Sequence, residues 1–458
     1  MEHKFINREK ELQWLEELYK KQGAQFVIIY GRRRVGKTEL IKKFIKNKKN
    51  LYYLASKGNE TEQLFYLSEK CSDIFKEPYL KDNPFKEWRS FFKYLLSKTG
   101  KKKLVLVIDE FPFLISSNNA IPSIIQKYWD EELSRKNIFL VLLGSSISMM
   151  YDYTLSYSSP LYGRRTGQIR LNTFKFKDYK KFFIKKSIED IIKFYSVTDG
   201  LPFYINFLDK TKTVEENILQ NIASPESILY EEGEILVKGE LGDVPTYFSI
   251  LDSISTGKTK IGEIANFVGM DSHSLTRYIK KLLLIELIKK EISITEKITS
   301  KKGVYRLSDN FLNFWFRFIY PSKISADGKD AVKKMLDKNF NSYLGPVFEK
   351  VCKEFIIDNK NRLPFSFQKI GRWWRKDKEI DLVALNEETK EIGFFEVKWK
   401  NLKEKQIVKI LEDLKEKSKF VEWNLNNRQE FFGVIAKKIE NKSKLRKQGF
   451  LVYDLKDF

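Results

Sequence analysis

Cysteine is nearly missing from this chain of 458 residues: there are two, Cys71 and Cys352, too few for a disulfide framework or a zinc site of their own. Their scarcity points to a reducing, cytoplasmic setting. Long apolar runs are missing as well. The most hydrophobic stretches, 104–108 and 138–143, are strand-sized and fall short of the roughly 18 residues a membrane helix needs, so no membrane partner is expected. The first residues lead straight into charged sequence with no apolar leader. There are no internal repeats and no low-complexity tracts. Acidic residues are in deficit: 61 Asp and Glu face 84 Lys and Arg, a formal charge of +23 that favours a polyanionic partner such as DNA or merely decorates the surface. A hydrophobic share of 42% and an aromatic share of 14% are enough for packed cores, and the length suggests about three domains.

What is present begins with a phosphate-loop pattern. Gly31-Arg32-Arg33-Arg34-Val35-Gly36-Lys37-Thr38 follows the apolar run Phe26-Val27-Ile28-Ile29-Tyr30 and opens a helical pattern. In that setting the glycines let backbone N–H groups point at phosphate oxygens, Lys37 reaches the outer phosphates, and the Thr38 hydroxyl ligates Mg²⁺. A nucleoside triphosphate is therefore expected. The run 104–108 ends in Asp109-Glu110, the Walker B order, with Asp109 in the Mg²⁺ shell and Glu110 polarising the attacking water. The run 138–143 ends in Gly144-Ser145, where Ser145 is the candidate sensor of the phosphate or water. Arg164 and Arg165 lie on a loop bounded by Gly163 and Gly167 and are candidates for the guanidinium that meets the transferred phosphoryl, in cis or from a second copy.

Strands expected at 25–30, 51–55, 103–108, 138–143 and 168–171 alternate with helices, which predicts a parallel sheet covered on both faces. The stretch 176–239 reads as helical, with Asp199-Gly200-Leu201-Pro202-Phe203 as a turn into a new helix. Helices at 248–253, 260–268 and 272–284, then strands at 292–294 and 304–307, give a winged helix-turn-helix order. Arg277, Lys280 and Lys281 on its third helix, with Lys301 and Lys302 at the wing tip, are placed to meet phosphates; the alternative for this module is packing or oligomerisation. Residues 305–318 read as a helix apolar nearly all round.

These motifs, with Phe5-Ile6-Asn7-Arg8-Glu9 and Gly200-Leu201-Pro202, resemble the archaeal and bacterial ATPases of the AAA+/STAND class over about the first two-thirds of the chain. The resemblance implies ATP rather than GTP, which agrees with the lack of an N-K-x-D element, a helical lid, and Ile6–Arg8 lying against the adenine. In the last third, Glu349 is expected near the start of a helix at Gly345, and Asp381 and Glu396-Val397-Lys398 on an antiparallel pair joined by a turn at 386–390. Strand alternation puts Glu396 and Lys398 on one face, with Asp381 one strand over. Carboxylates to hold Mg²⁺ and a lysine to activate water are what phosphodiester hydrolysis needs, and the set resembles the PD-(D/E)xK nuclease core. Trp373 and Trp374, between Arg372 and Arg375, suit either a nucleic-acid backbone or domain packing.

The whole reading is an α/β chain: a P-loop NTPase parallel sheet (1–175), a helical lid (176–240), a winged helix-turn-helix with a packing helix (241–320), and a restriction-endonuclease-like α/β domain (321–458). ATP and Mg²⁺ are the expected cofactors, and DNA and a second copy of the chain the expected partners. The alternative is an ATP-switched regulator that binds DNA or protein without cleaving it.

Overall fold

The structure is a computed structural model and describes residues 7–241, 244–297, 299–300, 302–324 and 328–458. The chain forms two compact units. One holds the chain up to Thr173 together with Leu201–Phe203, the other Phe174–Gly200 and Tyr204–Phe458.

The first unit is built on β1 (Gln25–Tyr30), β2 (Asn50–Leu54), β3 (Leu104–Asp109), β4 (Ile138–Gly144) and β5 (Gly167–Arg170). All neighbours pair in parallel, in the order β2-β3-β4-β1-β5. Every residue of β3 and β4 is buried, because helices cover both faces, and this is why those strands are continuous apolar runs without alternation. β4 lies between β1 and β3, with Val141 opposite both Val27 and Val107. The segments leaving β1, β3 and β4 therefore emerge side by side at the carboxyl edge, where open parallel sheets bind ligands.

In the second unit the helices Ile188–Thr198, Val214–Asn221 and Glu232–Glu240 precede three shorter-spaced helices, Val244–Ser255, Ile261–Val268 and Ser272–Leu284. Gly269, at φ 72°, closes the second of these, and Asp271 caps the third by accepting from His273 N and Ser274 N at 2.9 Å. An antiparallel ladder of β6 (Ile288–Glu291) and β7 (Val304–Leu307) follows. The strand expected at 292–294 thus lies earlier. Ile294 instead donates its N–H to Arg372 O at 2.9 Å and packs beside Trp373, so those apolar residues serve the C-terminal core rather than the ladder. Lys301 lies outside the described residues. The aromatic segment is not one helix from 305: the ladder takes it up to Leu307, then Asp309 caps Asn310–Phe314, and a widened turn, Trp315–Ile319, leads into Tyr320–Ile324.

A further correction concerns Gly345-Pro346, which does not start a helix. A single helix runs Gly328–Asp358 through Pro346 and places Glu349 well inside it. An internal proline costs about 3 kcal/mol, and the buried side chains of Tyr343, Leu344, Val347 and Phe348 on either side hold the helix together across it. After it come β8 (Lys369–Arg375), β9 (Lys378–Leu385), β10 (Glu391–Leu402), β11 (Gln429–Ile439) and β12 (Leu451–Asp454), in the order β12-β11-β10-β9-β8. β8, β9 and β10 form an antiparallel meander; β10, β11 and β12 are parallel, with the helix Glu404–Ser418 as the crossover. The expected turn between β9 and β10 is present, with Asn386 N donating to Glu391 O at 3.0 Å.

The turn that carries Gly200 leaves no room for a side chain: a Cβ there would stand 2.0 Å from Phe174 O, while Phe174 N donates to Gly200 O at 2.8 Å. Gly200→Ala is therefore expected to destabilise the second unit by about 1–3 kcal/mol, seen as a lower denaturant midpoint with ATP binding by the first unit retained.

Candidate functional site

At the end of β1 the chain turns through Gly31 at φ 150°, where a Cβ would lie 2.3 Å from Leu171 O, then through Arg34 at φ 67° and Gly36 at φ 95°. Gly36 in the left-handed region starts the helix Lys37–Ile45, so the loop wraps over that helix's N-terminus and its unpaired N–H groups. The buried Lys37 ammonium donates to Gly31 O at 2.8 Å and Arg32 O at 3.0 Å, which holds it inside the loop's curl. The Thr38 hydroxyl donates to Asp109 Oδ2 at 2.7 Å, the Tyr52 hydroxyl donates to the same oxygen at 2.7 Å, and Glu110 N donates to Asp109 Oδ1 at 2.9 Å. Burial, and then the bond to Asp109, raise the Tyr52 hydroxyl above its ordinary pKa, so it stays a donor. Ser145, buried at the end of β4, donates to Glu110 Oε1 at 2.6 Å. A triphosphate with Mg²⁺ fits this donor set: helix N–H groups and an ammonium for phosphate, and a hydroxyl beside a carboxylate for a hard cation.

Other expected members of this site stand apart. Arg164 grips Asp130 with Nε, 3.0 Å from both carboxylate oxygens, and bonds Pro160 O and Tyr162 O. Arg165 lies 5.6 Å from the Tyr162 ring centre, with a buried NH1 that has no hydrogen-bond partner. Among the described residues neither is bonded to Asp109, Glu110 or Ser145. Ile6 lies outside the described residues; Arg8 bonds Val35 O of the loop at 3.3 Å and Asn172 O, just past β5, at 2.6 Å. Phe203 lies under the Arg34 guanidinium, 4.0 Å from ring centre to carbon. Tyr52 was not foreseen. Its signal, a hydroxyl near the end of a strand that pairs with the Asp109 strand, exists only once the sheet order is known.

The C-terminal cluster forms where β9 and β10 separate. Their ladder runs from Ile392 opposite Leu385 to Phe395 opposite Leu382 and stops there. At the next position Asp381 Oδ2 takes the place of a backbone acceptor, receiving Val397 N at 2.8 Å. Lys398 Nζ bridges Asp381 Oδ2 at 3.1 Å and Glu396 Oε2 at 2.6 Å, and Lys417 Nζ, from the crossover helix, reaches Glu396 Oε1 at 2.7 Å. Asp381 and Glu396 are both buried. Burial pushes each carboxyl up; the Lys398 ammonium and the Val397 N–H outweigh it at Asp381, which ends below its ordinary range, while burial and the Asp381 charge leave Glu396 above its own. Burial lowers Lys398, and the two carboxylates more than reverse it.

Glu349 is not gathered with the other two carboxylates. It pairs with Arg372 NH1 at 3.2 Å, and Arg372 also holds Glu379 at 3.0 Å. Among the described residues no group of three or more His, Cys, Asp or Glu side chains is placed to cage a metal ion. A divalent cation fits only as Mg²⁺ is often held, by two carboxylates with phosphate and water completing the shell, so Asp381 and Glu396 are its candidates. Trp373 is buried in the sheet core and is no stacking platform. Lys417 is the member of this cluster that sequence reasoning did not assign.

With this geometry in hand the relatives are informative. A family described as an ATPase domain predominantly from Archaea matches residues 5–208, and one described as archaeal and bacterial proteins of unknown function matches 315–410. The uncharacterized protein MJECL04 of Methanocaldococcus jannaschii is 40% identical over 457 residues, 99% of this chain and 100% of that protein. The chain belongs to this archaeal P-loop ATPase family. Among solved structures, a Walker-type ATPase of Pyrococcus abyssi aligns with a TM-score of 0.50 at 19% identity, over 69% of this chain and 97% of that one, a likeness of fold. The ORC2 protein of Aeropyrum pernix aligns with a TM-score of 0.43 at 12% identity, over 74% of this chain and 97% of its own.

In this archaeal ATPase the Glu349 carboxyl has its pKa raised from 4.5 to about 7, by burial first, against the pull of Arg372 and with a push from Asp381. An unfolded carboxyl ionises near its ordinary pKa, so this group's contribution is full below pH 4.5 and is lost as pH rises to about 7. Glu349→Gln removes that loss: relative to wild type the variant is expected to gain stability between pH 5 and 8, read from denaturant midpoints across that range.

Proposed function

We propose that this ATPase is a DNA-acting switch in which ATP binding and hydrolysis control a grip on DNA, and in which the C-terminal cluster cleaves phosphodiesters with a divalent cation. The observation that carries the ATP half is the unbroken line of bonds from Thr38 through Asp109 and its neighbour Glu110 to Ser145. In this reading Lys37 exchanges its two loop carbonyls for phosphate oxygens, and Thr38 and Asp109 hold Mg²⁺. Mg²⁺ held there would supply withdrawal of charge from the transferred phosphoryl group. Glu110 orients the attacking water and takes up its proton, and Ser145 fixes the rotamer of Glu110. Of the two loop arginines, Arg165 is assigned the phosphoryl contact, in cis or in a second copy, because Arg164 is committed to Asp130.

Support for DNA comes from the +23 charge and from the exposed Arg277 and Lys280 on the helix Ser272–Leu284. Support for cleavage comes from the convergence of Asp381, Glu396 and Lys398 at the point where β9 and β10 part. A second reading, binding without cutting, is favoured by one feature: Lys398 and Lys417 already neutralise both carboxylates.

Labelled plasmid and oligonucleotide DNA incubated with Mg²⁺ or Mn²⁺, with and without ATP, separate these readings. Nicking or cutting that disappears in Lys398→Ala is expected; binding that falls steeply with salt but yields no product would leave the regulator. In the same preparation Glu110→Gln is expected to bind ATP and to lose about 10²–10⁴-fold in turnover, while Lys37→Ala loses ATP binding. ATP turnover unchanged in Glu110→Gln would remove its assigned role.

A further inference from the structure

Glu396 has both carboxylate oxygens committed to ammonium groups. Oε2 bonds Lys398, the residue two along on the same strand, whose ammonium also holds Asp381 Oδ2; Oε1 bonds Lys417 at 2.7 Å, from a different element. Lys417 belongs to the helix Glu404–Ser418, whose buried stripe is Ile407, Leu411, Leu414 and Ser418. Its position three residues after Leu414 and beside Ser418 lets the aliphatic stem follow that stripe and present the ammonium to the sheet. The neighbouring lysines go elsewhere: Lys419 pairs with Glu416 at 2.7 Å, and the Lys415 ammonium lies over the Phe432 and Phe450 rings. Glu396 is 5% exposed, so a partner lost there leaves a charge that water cannot cover.

We infer that Lys417 is a positioning residue of the C-terminal site: it holds Oε1 of Glu396 so that Oε2, the oxygen that shares Lys398 with Asp381, stays in place where a divalent cation is received. The inference rests on the metal-dependent reading of this cluster and adds a member that the strand pattern does not contain. The two lysines then have separate tasks. Lys398 spans the two carboxylates and occupies the place a divalent cation would take, so it is the ammonium displaced toward a substrate phosphate. Lys417 binds the other oxygen of Glu396, pairs with no other carboxylate among the described residues, and stays.

Two effects of removing Lys417 have opposite signs, which makes the test decisive. Loss of a positive charge near the cation tightens metal binding by Coulomb's law; loss of the outer-shell hold on a ligating carboxylate loosens it, typically 10–100-fold. Calorimetry of the full chain with Mn²⁺ alone, beside cleavage of labelled plasmid, reads the sign. The expected results are Mn²⁺ affinity lowered about 10–100-fold in Lys417→Ala, substantially restored in Lys417→Arg, and not lowered in Lys398→Ala even though cleavage is lost there. Matching thermal unfolding curves for Lys417→Arg and wild type exclude a folding defect as the source of any difference between them. Affinity unchanged or tightened in Lys417→Ala, with cleavage as in wild type, overturns the positioning role and leaves the metal site standing. Wild type that neither binds Mn²⁺ nor cleaves overturns the metal reading itself, and the role of Lys417 with it.

Discussion

The parallel pairing of β4 between β1 and β3 is the constraint on which the nucleotide chemistry depends. With Val141 opposite Val27 on one side and Val107 on the other, three carboxyl ends are held about 4.8 Å apart from strand to strand. The phosphate loop leaves the first, Ser145 the second and Asp109-Glu110 the third. Were β3 beside β1, the Thr38 bond to Asp109 would still be attainable, but no strand end would stand between them to offer Ser145 to Glu110. Close approach is part of the same arrangement: a Cβ on Gly144 would fall 2.3 Å from Met150 Sδ and 2.9 Å from Pro112 Cδ, so the segments after β3 and β4 pack in contact just where the two polar residues meet. Glu110 itself is held at φ 51°, outside the comfortable range of a branched or long side chain, and a bond from Ser145 and a helix starting at Phe111 maintain it there.

The C-terminal cluster arises from the opposite condition, an ending of strand pairing rather than its continuation. β9 and β10 are matched residue for residue as far as Leu382 and Phe395, and the first position beyond is Asp381. Parting of the strands frees Val397 N, and the aspartate side chain accepts from it. On β10 the register shifts again between Lys398 and Asn401, so the strand bends immediately after the lysine. A regular ladder would have used these backbone groups internally and left three charged side chains on a flat face. Bent and parted, the sheet brings them within hydrogen-bond distance of each other, at the price of desolvating two carboxylates that two ammonium groups then compensate.

Much of this was legible in the chain because the signals were local. Three of the parallel strands of the first unit, β1, β3 and β4, were visible as buried apolar runs, and the phosphate loop and the Asp109-Glu110 ending needed only their own neighbours to be read. Strand alternation placed Glu396 and Lys398 on one face without reference to the fold. The misreadings came from residues whose partners are distant in sequence. Pro346 marks a helix start by its own chemistry, yet the burial around Tyr343 and Phe348 carries the helix through it. Ile294 looked like a ladder strand because it is β-branched and apolar; its place was decided by Arg372, 78 positions on, whose carbonyl it bonds. Tyr52 and Lys417 carry no motif at all, and each joins a site through a tertiary neighbour that the sequence does not announce.

Both sites share one electrostatic arrangement. Lys37 rests on the carbonyls of Gly31 and Arg32, and Lys398 rests on Asp381 and Glu396, so each ammonium is satisfied by acceptors of the protein itself. A buried or half-buried cation left without acceptors would cost several kcal/mol, and these internal partners allow both sites to form in the folded chain ahead of any ligand. The acceptors differ in strength, and the difference separates the sites. Two neutral carbonyls are readily exchanged for phosphate oxygens bearing full charge, so Lys37 gains on transfer to a triphosphate. Two carboxylates hold Lys398 far more firmly, because both of its bonds join opposite full charges. Giving up its present partners therefore costs Lys37 two neutral contacts, whereas it costs Lys398 two charged ones, and the second ammonium is the more tightly tied of the two.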